Sequence, residues 1–265
     1  IVRVLLGLCF VVVMLIGNNL FAEEVEKAKE GDIKLKIGIA QIAGDDEKSS
    51  FQEGIATFLK TKTSKNGELN HIGFVGLKTT LSGATHKEQE DAALKLAQKE
   101  NVPVLIWGEI KDNEFYPSIT SNFPSLSKVA QPADFLGQLP KTATLPVVSV
   151  KDPLLLIGFI HALNSVEAGN FADAARRFDA LISEPSKPQG RGDLYLYAAY
   201  MNYEVYRVTG DKMSLKKSVD LFSEALAGYR EKKDWAMYAN IQNNIGVGSK
   251  ELAALGVESE MNLRH

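Results

Sequence analysis

The strongest constraint on this chain is a weakly repeated helical pattern over residues 154–257. Gly169 marks a turn between two apolar helical stretches in the first copy, and Gly210 marks the corresponding turn in the second. An aromatic residue follows each turn at helical spacing, Phe178 in the first copy and Phe222 in the second. Repeats of this kind stack, because one helical pair cannot bury its apolar face alone. The C-terminal half is therefore predicted to be a stack of helical hairpins.

This pattern resembles the tetratricopeptide repeat, which has glycine at the turn, small residues where its helices cross and an aromatic residue in its second helix. The run WAMYANIQNNIGVGSKELAALG resembles the first helix of a third copy, with Ile245 and Gly246 in the Leu-Gly position of that family, and the second helix of this copy breaks off. The resemblance covers residues 154–265 and implies a domain that binds a protein partner. A plain bundle of three helical hairpins is the alternative, because it would show the same periodicity.

The resemblance also implies a binding groove, because tetratricopeptide hairpins turn the inner faces of their first helices towards one. Carried over residue by residue, the pattern places these residues in the groove: Tyr197, Tyr200, Glu204, Arg207, Asn240, Asn243 and Lys250. Tyr203 and Tyr206 are expected to pack inside, on the opposite side of their helix. Tyrosine and arginine often anchor protein interfaces. The alternative is that the tyrosines only fill the bundle.

Residues 32–120 alternate short β-rich runs with amphipathic stretches, which is typical of an α/β layer. Strands are predicted in the runs IKLKIGIAQIA, NHIGFVGL and VPVLIWGEI, with a helix after each of the first two. This order predicts a small two-layer or three-layer domain with a mainly parallel sheet. The order of elements and the run VPVLIWGEI loosely resemble the N-terminal domains of envelope proteins of the TolB, CsgG and LpoB-like group.

Six of the nine prolines fall between Pro117 and Pro153, where they would interrupt a helix or a central strand. We therefore predict a proline-rich irregular arm over residues 121–153, with a short strand near LPVVSV. An arm of this length is unusual unless it binds something or packs on another surface.

Residues 1–22 form an apolar segment in which Arg3 precedes thirteen apolar or small residues. The segment predicts a single-pass transmembrane anchor, and a cleaved signal peptide is the alternative. Arg3 on one flank and Glu23 and Glu24 on the other predict that the N-terminus lies inside and the body on the exported, periplasmic side. Cleavage would instead leave a secreted periplasmic protein.

Charge and cysteine content weigh against several kinds of partner. The chain has 30 basic and 33 acidic residues, and a net charge of −3 gives no strong attraction to nucleic acid. Cys9 is the only cysteine and lies in the apolar segment, so the rest of the sequence offers neither a disulfide nor a cysteine-based metal site. The four histidines are far apart in the sequence. No metal and no cofactor are predicted.

Asp45 and Asp46 are the acids best placed for a ligand, because α/β folds bind ligands beyond the carboxyl ends of parallel strands. They would contact a metal or a ribose, or else cap the helix that begins near Glu47. The run GFVGLKTT lacks the glycine that a phosphate loop needs directly before its lysine. No nucleophile and base can be paired from the sequence, so enzymatic activity is not predicted.

Two functions remain open at this stage. The first is a membrane-anchored, non-enzymatic scaffold or accessory subunit of a membrane or envelope complex, which binds a protein partner through its repeats. The second is an α/β sensor domain that binds a nucleotide or another small ligand and signals through the repeats.

Overall fold

The computed structural model describes residues 35–45, 50–64, 72–112, 114–123, 139–146, 148–149, 154–183 and 191–257. The predicted anchor at residues 1–22 and Asp46 lie outside these ranges. The strands are β1 (Leu35–Gln41), β2 (Ile72–Thr80), β3 (Val104–Lys111), β4 (Glu114–Ser121), β5 (Thr142–Thr144) and β6 (Val148–Ser149). The helices are α1 (Ser50–Ser64), α2 (His86–Lys99), α3 (Leu154–Glu167), α4 (Phe171–Ser183), α5 (Arg191–Thr209), α6 (Lys212–Lys232) and α7 (Trp235–Ala254).

The protein is a mixed α/β structure, and its sheet has the order β2-β1-β3-β4-β5, with β6 also paired to β4. β1 runs parallel to β2 and β3, whereas β4 is antiparallel to β3, β5 and β6. The prediction of a mainly parallel sheet is therefore wrong. Only two residues separate β3 from β4, and a connection this short forces antiparallel pairing because a parallel pair needs a long crossover.

Pro117 lies inside β4, opposite Gly108 of β3, although prolines were expected to interrupt the sheet here. Its carbonyl accepts a hydrogen bond from Leu145 N at 3.0 Å, on the side away from β3. The N–H that proline lacks would point to that same side, between the pairings of β4 with β5 and with β6. No bond to β3 is lost, and the segment predicted as an irregular arm contributes two strands to the sheet.

Helices α1 and α2 cover opposite faces of the sheet. Ile37 of β1 packs in one apolar cluster with Ile55 of α1, and Leu105 of β3 packs in another with Leu96 of α2. Successive strand residues point to opposite faces, which lets one sheet fill both clusters. The arrangement is three-layered, the larger of the two possibilities predicted from the sequence.

Helices α3 to α7 form a stack in which each helix packs against the next. Two of the turns are the predicted ones, because Gly169 and Gly210 adopt φ angles of 72° and 74° between consecutive helices. Few residues other than glycine adopt such angles without strain. Phe178 and Phe222 are fully buried. The first apolar cluster of the sheet continues into this stack.

The first hairpin of the stack, α3 with α4, contains a half-buried polar cluster around Asp173. Arg177 Nε and Ser165 Oγ each lie 2.6 Å from Asp173 Oδ2. Burial raises the pKa of Asp173, but the hydrogen bonds from Arg177, Ser165 and Arg176 together bring it well below its ordinary value. The carboxylate therefore stays ionised and ties the two helices together.

A pair of glycines lets helices α5 and α6 approach each other closely. Gly192 of α5 faces Gly228 of α6, and a Cβ added at Gly228 would lie 2.8 Å from the Gly192 Cα. Gly246 of α7 differs, because a Cβ added there would meet no atom within 4 Å.

We expect opposite effects from two matched substitutions in this stack. Gly228→Ala should lower the free energy of unfolding by ~1–3 kcal/mol, because backbone atoms would have to move apart. Gly246→Ala should raise it by ~0.5–1 kcal/mol, because alanine favours the helix and nothing opposes its methyl group. Urea unfolding of both variants measures the difference, and two changes of the same sign would contradict the packing described.

Candidate functional site

The sheet meets the helical stack along the outer edge of β5. Lys141 and Leu145 form backbone hydrogen bonds with β4, so Pro140, Thr142 and Thr144 direct their backbone groups away from it. A bare strand edge would recruit strands from other chains. Helix α5 lies against this edge instead.

Two side chains of α5 bind backbone groups on that edge. Asp193 Oδ2 accepts a hydrogen bond from Thr144 N at 2.6 Å, and the Tyr197 hydroxyl donates to the Pro140 carbonyl. Lys232 of α6 completes the contact, with its Nζ 2.8 and 2.9 Å from the two Asp193 oxygens. The joint thus combines a sheet edge, two helices and an ion pair in which the acid is buried and the lysine is partly in water.

The electrostatics of this joint depend on the Asp193 carboxylate, which is 2% exposed. A buried charge is costly unless it is paired and hydrogen-bonded, and Lys232 and Thr144 meet both needs. Burial, with the nearby Asp193 charge, raises the pKa of Tyr197 and of Tyr229 well above the ordinary value. Both phenols therefore remain neutral hydrogen-bond donors near neutral pH.

An open cleft of about 1050 Å³ lies beside the joint. Its walls come from α2, from residues 139–144 and from the adjoining ends of α5, α6 and α7. The lining includes His86, Lys87, Glu90, Lys141, Asp193 and Lys232. Ligand sites are common where two structural units meet. Two acids of the lining lie at helix N-termini, where a negative charge is favourable: Asp193 in the first turn of α5 and Asp234 at the N-cap of α7.

His86 is the histidine of this cleft, and its ring lies 5.5 Å from that of Trp107. Its Nε2 atom is 3.2 Å from Thr144 Oγ1 and 3.4 Å from Glu90 Oε1. A catalytic relay needs one ring nitrogen for the nucleophile and the other for the acid. Because both contacts use the same nitrogen, these three residues are not arranged as such a relay.

Asp45 lies at the start of α1, where its two carboxylate oxygens accept hydrogen bonds from Phe51 N and Gln52 N, each at 3.0 Å. This is the capping arrangement that was one of its two predicted roles, and a ligand role stays a prediction. The Gln52 amide also donates to the carbonyls of Ile39 at 2.6 Å and Leu77 at 2.9 Å. It thereby joins α1 to two strands, a contact that the sequence did not suggest.

Three of the predicted groove residues lie beneath the surface. Tyr197 and Glu204 are each 1% exposed and Tyr200 is 4% exposed. The predicted division of α5 into an outward and an inward tyrosine face is therefore wrong, since Tyr203 is buried as well and Tyr206 is only partly buried. The reason is that α5 packs against α4, α6 and the edge of β5, which leaves it little solvent-facing surface.

Tyr200 illustrates this interior position. Its ring packs edge-on against Phe222 of α6, and its hydroxyl accepts a hydrogen bond from Asn244 Nδ2 of α7 at 3.1 Å. Burial raises the pKa of Tyr200 to about 12. Tyr203 makes a second bridge to α7, with its hydroxyl 3.4 Å from Glu251 Oε1. These tyrosines therefore connect α5 to α7.

The other predicted groove residues are accessible. The Arg207 side chain is 46% exposed and pairs with Glu204, whose Oε2 is 2.9 Å from the Arg207 NH2 group. Asn240 and Asn243 are half-buried and Lys250 is exposed on α7. Binding of a partner by these residues stays a prediction.

The described ranges contain no group of three or more histidine, cysteine, aspartate or glutamate side chains placed to hold a metal ion. They also contain no helix that is long and apolar enough to cross a membrane.

Comparison with known proteins gives no relative: no family model matches the sequence, and neither a curated protein nor a solved structure is similar to it.

Tyr200 and Arg207 should differ in their contribution to stability. Tyr200→Ala should lower the free energy of unfolding by ~3–5 kcal/mol, because it empties a buried aromatic site between two helices. Arg207→Lys, which keeps a cation beside the buried Glu204, should change it by less than ~1 kcal/mol, because half of the Arg207 side chain is in water. Thermal melts followed by circular dichroism measure both. A stable Tyr200→Ala variant would show that α5 is more exposed than described.

Proposed function

We propose that this protein is a membrane-anchored, non-enzymatic scaffold or accessory subunit that holds a protein partner through tetratricopeptide-like repeats, within a larger membrane or envelope complex. The observation that carries the proposal is the stack of helices α3 to α7, in which Gly169 and Gly210 lie at turns and Phe178 and Phe222 are buried. Stacked helical pairs form extended surfaces that suit protein partners.

The partner surface differs from the one expected from the sequence. It comprises Arg207 at the end of α5 together with Asn240, Asn243 and Lys250 on α7. Glu204 lies beneath Arg207 and holds the guanidinium in place through its ion pair. Arginine with a fixed geometry is common at the energetic centres of interfaces. Tyr200 supports this surface from inside, through its hydrogen bond with Asn244 of α7.

Site-specific photo-crosslinking in the native host tests the proposed surface. A photoreactive amino acid at position 207 or 250 should give a discrete protein adduct, because both positions face the partner. The same group at Glu224, an exposed position on α6, is the matched control and should give none. Equal adducts at all three positions, or adducts at 224 alone, would refute this surface.

The membrane anchor in this proposal comprises residues 1–22. Deleting them should release the protein from the membrane fraction and leave a folded, soluble domain, because later apolar runs are short or periodic. Membrane fractionation followed by a thermal melt measures both properties. An aggregated product without a melting transition would contradict the proposal that residues 1–22 are only a membrane anchor.

A second function, a sensor of a small ligand or nucleotide, is favoured by the cleft of about 1050 Å³ between the sheet and the stack. A ligand that binds the folded state raises its melting temperature by mass action. A thermal-shift screen with nucleotides and divalent ions should show a saturable rise if this function is correct. No shift with any of these compounds at millimolar concentration would remove the nucleotide-sensor alternative.

A further inference from the structure

The sheet has a second edge, formed by β2, and no described residue pairs with its outer side. The regular pairing of β2 with β1 runs from Ile72 to Gly76, and this stretch, IGFVG, contains no charged residue and no proline. Lys78 and the irregularity in the pairing lie beyond Gly76. The charges, prolines and bulges that keep many strand edges from pairing are thus missing from residues 72–76.

The pairing of the inner strands determines which backbone groups of β2 point outwards. Asn122 N donates to the Pro103 carbonyl at 2.8 Å, so Val104, the next residue, directs its backbone groups to β1. In a parallel pair the residue opposite points the other way, so Ile37 of β1 is directed to β2. Ile37 lies opposite Phe74 of β2. By the same rule, the N–H and C=O of Phe74 point to the outer edge.

Ile72 and Gly76 share this direction, because each is two residues from Phe74. The outward groups are therefore spaced evenly about Phe74. An antiparallel second copy of β2 centred on Phe74 would satisfy all of them. Phe74 would exchange both of its hydrogen bonds with Phe74 of the second copy, and Ile72 would do so with Gly76 of the second copy.

The side chains suit the same arrangement. Away from the centre, each larger side chain would lie opposite a glycine: Ile72 opposite Gly76 on the face covered by α1, and Val75 opposite Gly73 on the other face. Val75 is only partly buried, so a second strand would cover it further. Cross-strand neighbours of matching size stabilise antiparallel pairs.

We propose that two copies of this chain associate through the outer edges of their β2 strands, antiparallel and centred on Phe74, and so form one continuous sheet. The pairing is two-fold symmetric, so it closes after two copies. This inference does not depend on the proposed partner surface, which lies on α5 and α7. β2 is at the opposite end of the sheet from β5, the strand that α5 covers.

A distance between chains tests this dimer. A single spin label is attached to Lys78→Cys, an exposed position of β2, in the full chain with Cys9→Ser. Each chain carries one label, so double electron-electron resonance detects only pairs of chains. The two labels lie four residues on either side of the centre, and we expect one narrow distance of about 25 Å. Absence of this distance in the folded protein would overturn the proposal.

Substitutions at Gly76 test the use of the strand edge. Gly76→Ala keeps the outward N–H, and its Cβ would meet the Gln52 amide at an ordinary 3.6 Å, so the distance should persist. Gly76→Pro removes that N–H and should abolish the distance without breaking a bond to β1. Gly76→Asp, which places a carboxylate opposite Ile72 of the second copy, should abolish it as well.

Circular dichroism confirms that each variant is folded. If Gly76→Pro does not fold, Gly76→Asp decides, and the distance in the parent protein decides if neither folds. A folded Gly76→Pro or Gly76→Asp variant that keeps the parent distance overturns pairing through the β2 edge.

Discussion

The packing of the helical stack against the sheet depends on the contacts of one buried carboxylate, that of Asp193. The sheet ends in a three-residue strand, β5, whose outer backbone groups need partners. Asp193 binds one of them and Tyr197 binds another, so a helix takes the place of a further strand. The same carboxylate needs Lys232, which fixes α6 as well as α5. One residue thereby orients the helical stack and shapes the cleft beside it.

Because α5 covers the sheet edge, little of its own surface is exposed to solvent. In a free-standing repeat, the first helix of the central hairpin would offer a broad face to a partner. Here its N-terminal half lies against β5 and its middle is enclosed by α4 and α6. Among the described residues of α5 and α7, the end of α5 that carries Arg207 and one side of α7 are exposed. The proposed surface is therefore smaller and more polar than the predicted groove.

The sequence predicted local features well and non-local pairing poorly. Gly169 and Gly210 indicate turns in the sequence, because few other residues adopt positive φ without strain. The spacing of apolar residues in α1 and α2 indicates which helix faces cover the sheet. β5 is too short to show the alternation of apolar and polar residues that identifies a strand. It pairs with residues of β4 that lie more than twenty positions away in the sequence. Asp193 resembles an ordinary first-turn acid of a helix, so nothing local distinguished it. Tyr200 and Tyr203 occur in a helix that is buried almost all round, where periodicity cannot tell inside from outside.

Protection of the β5 edge by α5 can be tested directly at the amide of Thr144. This N–H is on the outer edge of the sheet, and without a partner it would exchange with solvent as readily as an edge amide does. Residue-resolved hydrogen exchange by NMR should find the Thr144 amide as strongly protected as amides of the central strand β3. Exchange at the rate of an exposed loop amide would contradict the account.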